Sequence, residues 1–149
     1  MIRPATVADI DALVALEAGF AEEDRFDRRT WRRLLSGNAA VLVSESERDG
    51  LLAAAVMLYR RGGRTGRLYS LTVVPEARGK GLARQLLAAC EADATARGTS
   101  AVRLEVRASN SSAIRLYEAG GYRVIATSES YYPDGEAALR MEKSLNSAL

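Results

Sequence analysis

Residues 71–87 read LTVVPEARGKGLARQLL. Leu71–Val74 is an apolar, β-branched run that Pro75 closes, so the segment opens as a strand. A helical pattern follows from about Gly81 to Arg97, with Leu82, Leu86 and Cys90 at i, i+4 and i+8, and Gly98 stops it. Between strand and helix, Gly79 and Gly81 let the backbone approach a ligand closely. The start of the helix adds free N–H groups and a positive dipole end. Arg78, Lys80 and Arg84 place three cations within seven residues. The physical reading is a site for a phosphate or pyrophosphate. A Walker loop does not fit, because Val74 stands where its first Gly is required and Gly81 follows Lys80. The dinucleotide fingerprint does not fit either, because Arg84 holds its third Gly position.

Outward from this turn, strands are expected at Ile2–Arg3, Ala40–Glu45, Leu51–Tyr59, Arg67–Val74 and Ala101–Val106. Thr6 with Asp9 makes a capping box for a helix that buries Ile10, Leu13, Val14 and Leu16. A second helix has Trp31, Leu34 and Leu35 on one side and Arg28, Arg29, Arg32 and Arg33 on a solvated face. A helix over Ser111–Ala119 and a hairpin through Pro133-Asp134-Gly135 complete the chain. Strands come first, then strand–helix alternation, then a hairpin. The expectation is a single α/β domain, residues 1–149, with a mixed sheet.

Composition narrows the chemistry. The chain has 149 residues, one Cys and no His. That excludes disulfide frameworks, Ser-His or Cys-His catalysis and nearly every zinc or transition-metal site, so no metal is expected. Acid–base work falls to Glu, Asp, Tyr, Lys or water. A net charge of +2, from 21 Lys+Arg against 19 Asp+Glu, gives no reason to expect nucleic acid or a membrane as partner. Charges at Arg3, Asp9 and Asp11 interrupt any signal-peptide core, and no apolar run is long enough to span a bilayer. A cytoplasmic location is expected.

The stretch from Leu104 to Tyr122, LEVRASNSSAIRLYEAGGY, carries the second candidate site. Val102, Leu104 and Val106 share one strand face, so Glu105 points to the other beside Arg103. Asn110 caps the next helix or directly precedes it, and Asn110, Ile114 and Tyr117 fall at i, i+4 and i+7 on one face. A linear ligand meeting the Asn amide reaches the Tyr hydroxyl about 10 Å along the axis. The same residues also admit a bland reading: an Arg103–Glu105 surface pair, an Asn N-cap and a packed Tyr. Their combination with the phosphate turn favours a site. Cys90 lies on the apolar helix face and reads as core rather than as an acyl carrier.

Together these residues resemble the GCN5-related N-acetyltransferase (GNAT) superfamily. Arg78-Gly79-Lys80-Gly81-Leu82-Ala83 matches its [QR]-x-x-G-x-[GA] motif, and Asn110 to Tyr122 matches N-x-x-A-x-x-L-Y-E-x-x-G-[FY]. Within it the chain is most similar to RimI-like ribosomal-protein-alanine N-acetyltransferases, through LEVRASN and the Tyr131-Tyr132-Pro133-Asp134-Gly135-Glu136 ending. The resemblance implies a mostly antiparallel central sheet with helices on both faces, acetyl-CoA as cosubstrate and coenzyme A as product. It implies Glu105 as general base and Tyr117 as general acid, with Asn110 and Tyr117 along the pantetheine arm. The backbone of Leu71, Thr72 and Val73 would pair with that arm, and Arg78, Gly79, Lys80, Gly81, Leu82, Ala83 and Arg84 would wrap the pyrophosphate. The segment from Phe20 to Phe26, FAEEDRF, departs from that group, and it helps to shape the acceptor pocket.

Bottom-up chemistry agrees. An α-amine near pKa 8 sheds its proton more readily than Lys near about 10.4. A Glu near about 4.3 needs burial or a water to act as base, and Tyr near about 10 suits hydrogen bonding to a leaving thiolate. The leading expectation is direct acetyl transfer, in a ternary complex, to a peptide or protein N-terminal α-amine by a monomer or homodimer. Tyr131 and Tyr132, read as strand residues, would place one ring in the acceptor groove beside Phe20 and Phe26 and the other out of it. Two other readings remain: a small-molecule amine acetyltransferase, and a non-catalytic acyl-CoA-binding module.

Overall fold

The structure is a computed structural model that describes residues 1–20 and 25–145. Seven strands form one sheet: β1 (Ile2–Pro4), β2 (Ala40–Ser46), β3 (Gly50–Tyr59), β4 (Thr65–Val73), β5 (Ala101–Arg107), β6 (Arg123–Ser128) and β7 (Ala138–Ser144). Their order is β1-β2-β3-β4-β5-β7-β6. Every neighbouring pair is antiparallel except β4–β5, so the sheet is mixed and mostly antiparallel, as expected.

Helices cover both faces. α1 (Ile10–Leu16) and α2 (Arg28–Ser36) pack on β2 and β3 over Val41, Val43, Ala54 and Val56, with Trp31 and Leu13 fully buried. α3 (Leu82–Ala96) and α4 (Ser111–Ala119) take the opposite face, where Leu86, Leu87 and Cys90 meet Leu42, Ala55, Met57, Leu104 and Met141. β2 and β3 are apolar on both sides because both sides are covered. Asp9 accepts the Thr6 N–H at 2.8 Å as the capping box requires, but one 3₁₀ turn, Val7–Asp9, intervenes before α1. Asp27 caps α2 through the Thr30 N–H at 2.8 Å, and Gly98, at φ 80°, ends α3.

One irregularity alters the course of β4. Val56 opposes Ser70 and Met57 opposes Leu68, so Tyr69 is an extra residue in β4. The bulge shifts the alternation: Leu68 faces the α3 side, and so do Leu71 and Val73. A bulged strand also bends. β4 pairs with β5 only from Thr65↔Ala101 to Leu68↔Leu104, although β4 continues to Val73 and β5 to Arg107. Beyond that point the two strands part, and the β5-facing edge of Tyr69–Val73 has no strand partner among the described residues.

Candidate active site

The parted strands open beside the glycine turn. Gly79 and Gly81 have φ of 81° and 82°, a region in which a side chain is strained. A Cβ on either would meet nothing within 4 Å, so both present bare backbone to open space. Gly81 immediately precedes α3, whose first N–H groups and dipole end face outward there. A depression of about 370 Å³ is lined by Val73, Arg78, Gly79, Gly81, Leu82, Ala83, Arg84 and Leu116 among others. Arg78 is partly committed, since its Nε donates to the Val73 carbonyl at 3.2 Å. Lys80 and Thr72 line neither this depression nor the larger cavity beside it. A bare, positively polarised turn continuous with an unpaired strand edge fits a pyrophosphate and its extended amide arm.

The larger cavity, about 940 Å³, lies between the parted strands. Leu71, Glu105, Asn110, Tyr117, Phe20, Phe26, Tyr131 and Tyr132 all line it, so residues from distant parts of the chain meet in one space. Asn110 Oδ1 accepts the Ala113 N–H at 3.1 Å as the α4 cap, which leaves its NH₂ group for a ligand. Tyr117 is nearly buried, and its hydroxyl has no hydrogen-bond partner among the described residues. Burial pushes its pKa up to about 12, so it remains a neutral donor at physiological pH. Cys90 is fully buried, and burial pushes its thiol up to about 12 as well. Such a thiol is a poor nucleophile, in line with its reading as core.

Glu105 does not pair with Arg103. Arg103 turns to Glu142 at 2.6 Å, while Arg67 grips Glu105 Oε1 at 2.8 Å and Arg140 Nε lies 3.4 Å from Glu105 Oε2. The reason is geometric. Neighbours across a sheet stand about 5 Å apart, closer than residues two along the same strand at about 6.6 Å.

The tyrosine expectation also needs correction. Tyr131 and Tyr132 precede β7 in an irregular loop, strand alternation does not apply, and both rings line the same cavity. They pack edge to face with centroids 5.0 Å apart. Arg107 holds the loop: it bridges Asp134 at 2.8 Å and Glu136 at 3.1 Å, and lies 4.0 Å over the Tyr132 ring. Glu136 also accepts the Ser109 N–H at 2.8 Å, tying the loop to the end of β5. Tyr131 Oη accepts from Arg67 at 3.0 Å, so the loop and Glu105 share one arginine.

Across the cavity, Phe26 stacks on Tyr69 at 5.5 Å and meets Trp31 edge-on at 5.0 Å. Ala21, Glu22, Glu23 and Asp24 of the acceptor segment lie outside the described residues. Sequence reasoning missed Glu17, Arg67, Tyr69 and Arg107, which also line the cavity. Glu17 is 3% exposed and accepts the Phe26 N–H at 2.8 Å. Desolvation raises its pKa above the ordinary carboxylate value, against the opposing pull of that hydrogen bond and of Arg25. An acidic residue closing an amphipathic helix has a weak signal, because most such residues face water.

Known proteins resemble this chain in sequence and in fold. The model of the acetyltransferase (GNAT) family matches residues 8–122. The [ribosomal protein bS18]-alanine N-acetyltransferase of Haemophilus ducreyi is 36% identical over 88 residues, 59% of this chain and 59% of that protein. Matches to the Escherichia coli enzyme of the same name are 39% identical over 66 residues, 44% of this chain and 45% of that one, so the chain aligns with about half the length of these relatives. The crystal structure of the Escherichia coli ribosomal-protein-S18-alanine N-acetyltransferase superposes with a TM-score of 0.85 at 26% identity, covering 100% of this chain and 96% of that one. A chimera of the Vibrio cholerae spermidine N-acetyltransferase SpeG shares the fold, with a TM-score of 0.85 at 18% identity over 97% of this chain and 96% of that one. With the family model spanning most of its length, the chain belongs to the acetyltransferase (GNAT) family.

Proposed function

We propose that this protein is an acetyl-CoA-dependent N-acetyltransferase whose acceptor is the N-terminal α-amine of a peptide or protein. The observation that carries the reading is the parting of β4 and β5. It opens a cavity onto Glu105 and Tyr117 and leaves the Tyr69–Val73 edge free to bind an extended amide arm.

Bound acetyl-CoA supplies an activated acyl group: the acceptor nitrogen bonds to the acyl carbon, the C–S bond breaks, and the sulfur leaves with the electron pair. The glycine turn and the start of α3 hold the pyrophosphate, and the NH₂ of Asn110 donates to the arm. Glu105 takes the amine proton through a water, because Arg67 already occupies its Oε1 and Arg140 stands near its Oε2. Tyr117 donates a hydrogen bond to the departing sulfur. Full proton transfer from a phenol near 12 to a thiolate near about 8.5 is uphill by roughly 5 kcal/mol, so the hydrogen bond is its contribution. With Cys90 buried and its thiol raised, transfer is direct. The relatives named for alanine N-acetylation support an α-amine acceptor.

Two peptides of equal length test the acceptor: one with a free small N-terminal residue and no Lys, the other N-terminally blocked with an internal Lys. The expected outcome is faster acetylation of the free N-terminus by mass spectrometry. Preference for the blocked peptide, or for spermidine, sinks the α-amine reading.

A further inference from the structure

A second cavity, about 740 Å³, adjoins the first and shares Arg67, Glu105 and Tyr131 with it. Its wall is unusually rich in guanidinium groups: Arg60, Arg64, Arg67, Arg103 and Arg140. They come from separate places. Arg60 and Arg64 flank the β3–β4 turn, Arg67 stands opposite Arg103 across β4–β5, and Arg140 stands opposite Glu105 across β5–β7. Against these five cations stand two carboxylates, Glu105 and Glu142, the first engaged by Arg67 and Arg140 and the second by Arg103. Arg60 and Arg64 have no ion pair among the described residues. Arg140 adds its charge to the wall but is paired with Glu105, its Nε 3.4 Å from Oε2. The unpaired guanidinium groups of Arg60 and Arg64 are the ones left to receive a carboxylate.

We propose that this arginine-lined cavity is the subsite for acidic side chains just downstream of the acceptor amine, so that the preferred acceptor is a peptide with an acidic N-terminal segment. The proposal rests on the α-amine reading above. With the amine near Glu105, an extended peptide advances about 3.3 Å per residue, and Arg64, the turn residue just before β4, stands three residues and at most about 10 Å from Arg67. The second to fourth residues therefore pass along the guanidinium wall. Arginine pairs with carboxylates in two-pronged fashion, and like charges there repel a basic segment. A nucleic acid is disfavoured because the net charge of the chain is only +2, which leaves no broad positive field beyond this cavity.

The test uses three short peptides of equal length with N-terminal Ala, carrying Glu, Gln or Arg at positions two to four. Release of the coenzyme A thiol gives kcat/KM. The expected order is acidic, neutral, basic, with about a tenfold span between the extremes that narrows in high salt. Replacing Arg60→Glu together with Arg64→Glu should flatten or invert the order through KM. The pair Arg60→Gln with Arg64→Gln serves if charge reversal disturbs the fold, as judged by circular dichroism. Equal rates, a preference for the basic peptide, or an order unchanged in these variants overturns the acidic subsite while peptide acetylation stands. No acetylation of any of the three overturns both. Salt-sensitive RNA binding that is lost in the double variant, with no ranking among the peptides, overturns the proposal in favour of nucleic acid.

Discussion

Tyr117 and Glu105 contribute through what surrounds them. Tyr117 sits among apolar neighbours, and burial lifts its pKa to about 12, which makes it a durable hydrogen-bond donor rather than an acid. Tyr117→Phe should therefore lower kcat by about 10²-fold or more while acetyl-CoA affinity changes little. A variant with near-normal kcat in steady-state assays would exclude the hydrogen bond to sulfur. Glu105→Gln keeps an acceptor for Arg67 but cannot take a proton. Its turnover should fall in steady-state assays; an unchanged kcat would assign the base elsewhere.

At the scale of an element, β4 and the start of α3 act together. The bulge at Tyr69 parts β4 from β5, and the turn after β4 delivers bare backbone to the same opening. Gly81→Val forces a β-branched residue to φ 82° and fills the space before α3. Acetyl-CoA affinity by calorimetry should drop about tenfold or more, with far-UV circular dichroism preserved. Unchanged affinity would remove the turn from the cosubstrate site.

Stability of the whole molecule carries the mark of Glu17. The fold buries its carboxyl, which favours the neutral form and raises its pKa above the unfolded value near about 4.3. The fold therefore bears no penalty below that unfolded value and loses stability as pH rises through the higher folded-state value. Glu17→Gln keeps an acceptor for the Phe26 N–H and removes the cost of ionisation. Its melting temperature should exceed that of the wild type at pH 7, and the gap should close at about pH 4. A variant less stable at pH 7 would show that the charged form is the favoured one.

Much of this protein is written locally. Period-2 runs such as Val102-Leu104-Val106, the helical spacing of Leu82, Leu86 and Cys90, and caps such as Asn110 depend on residues a few positions apart. Those features define the elements, the glycine turn and the family motif from sequence alone. Tertiary structure decided which charges meet. Glu105 faces Arg67 and Arg140 because of registers between strands distant in sequence, and one bulged residue, Tyr69, changes which side chains share a face and where β4 leaves β5. Tyr131 and Tyr132 join one cavity because Arg107, on another strand, anchors their loop. Local periodicity carries no information about such registers, since they are set by long-range hydrogen bonding and packing.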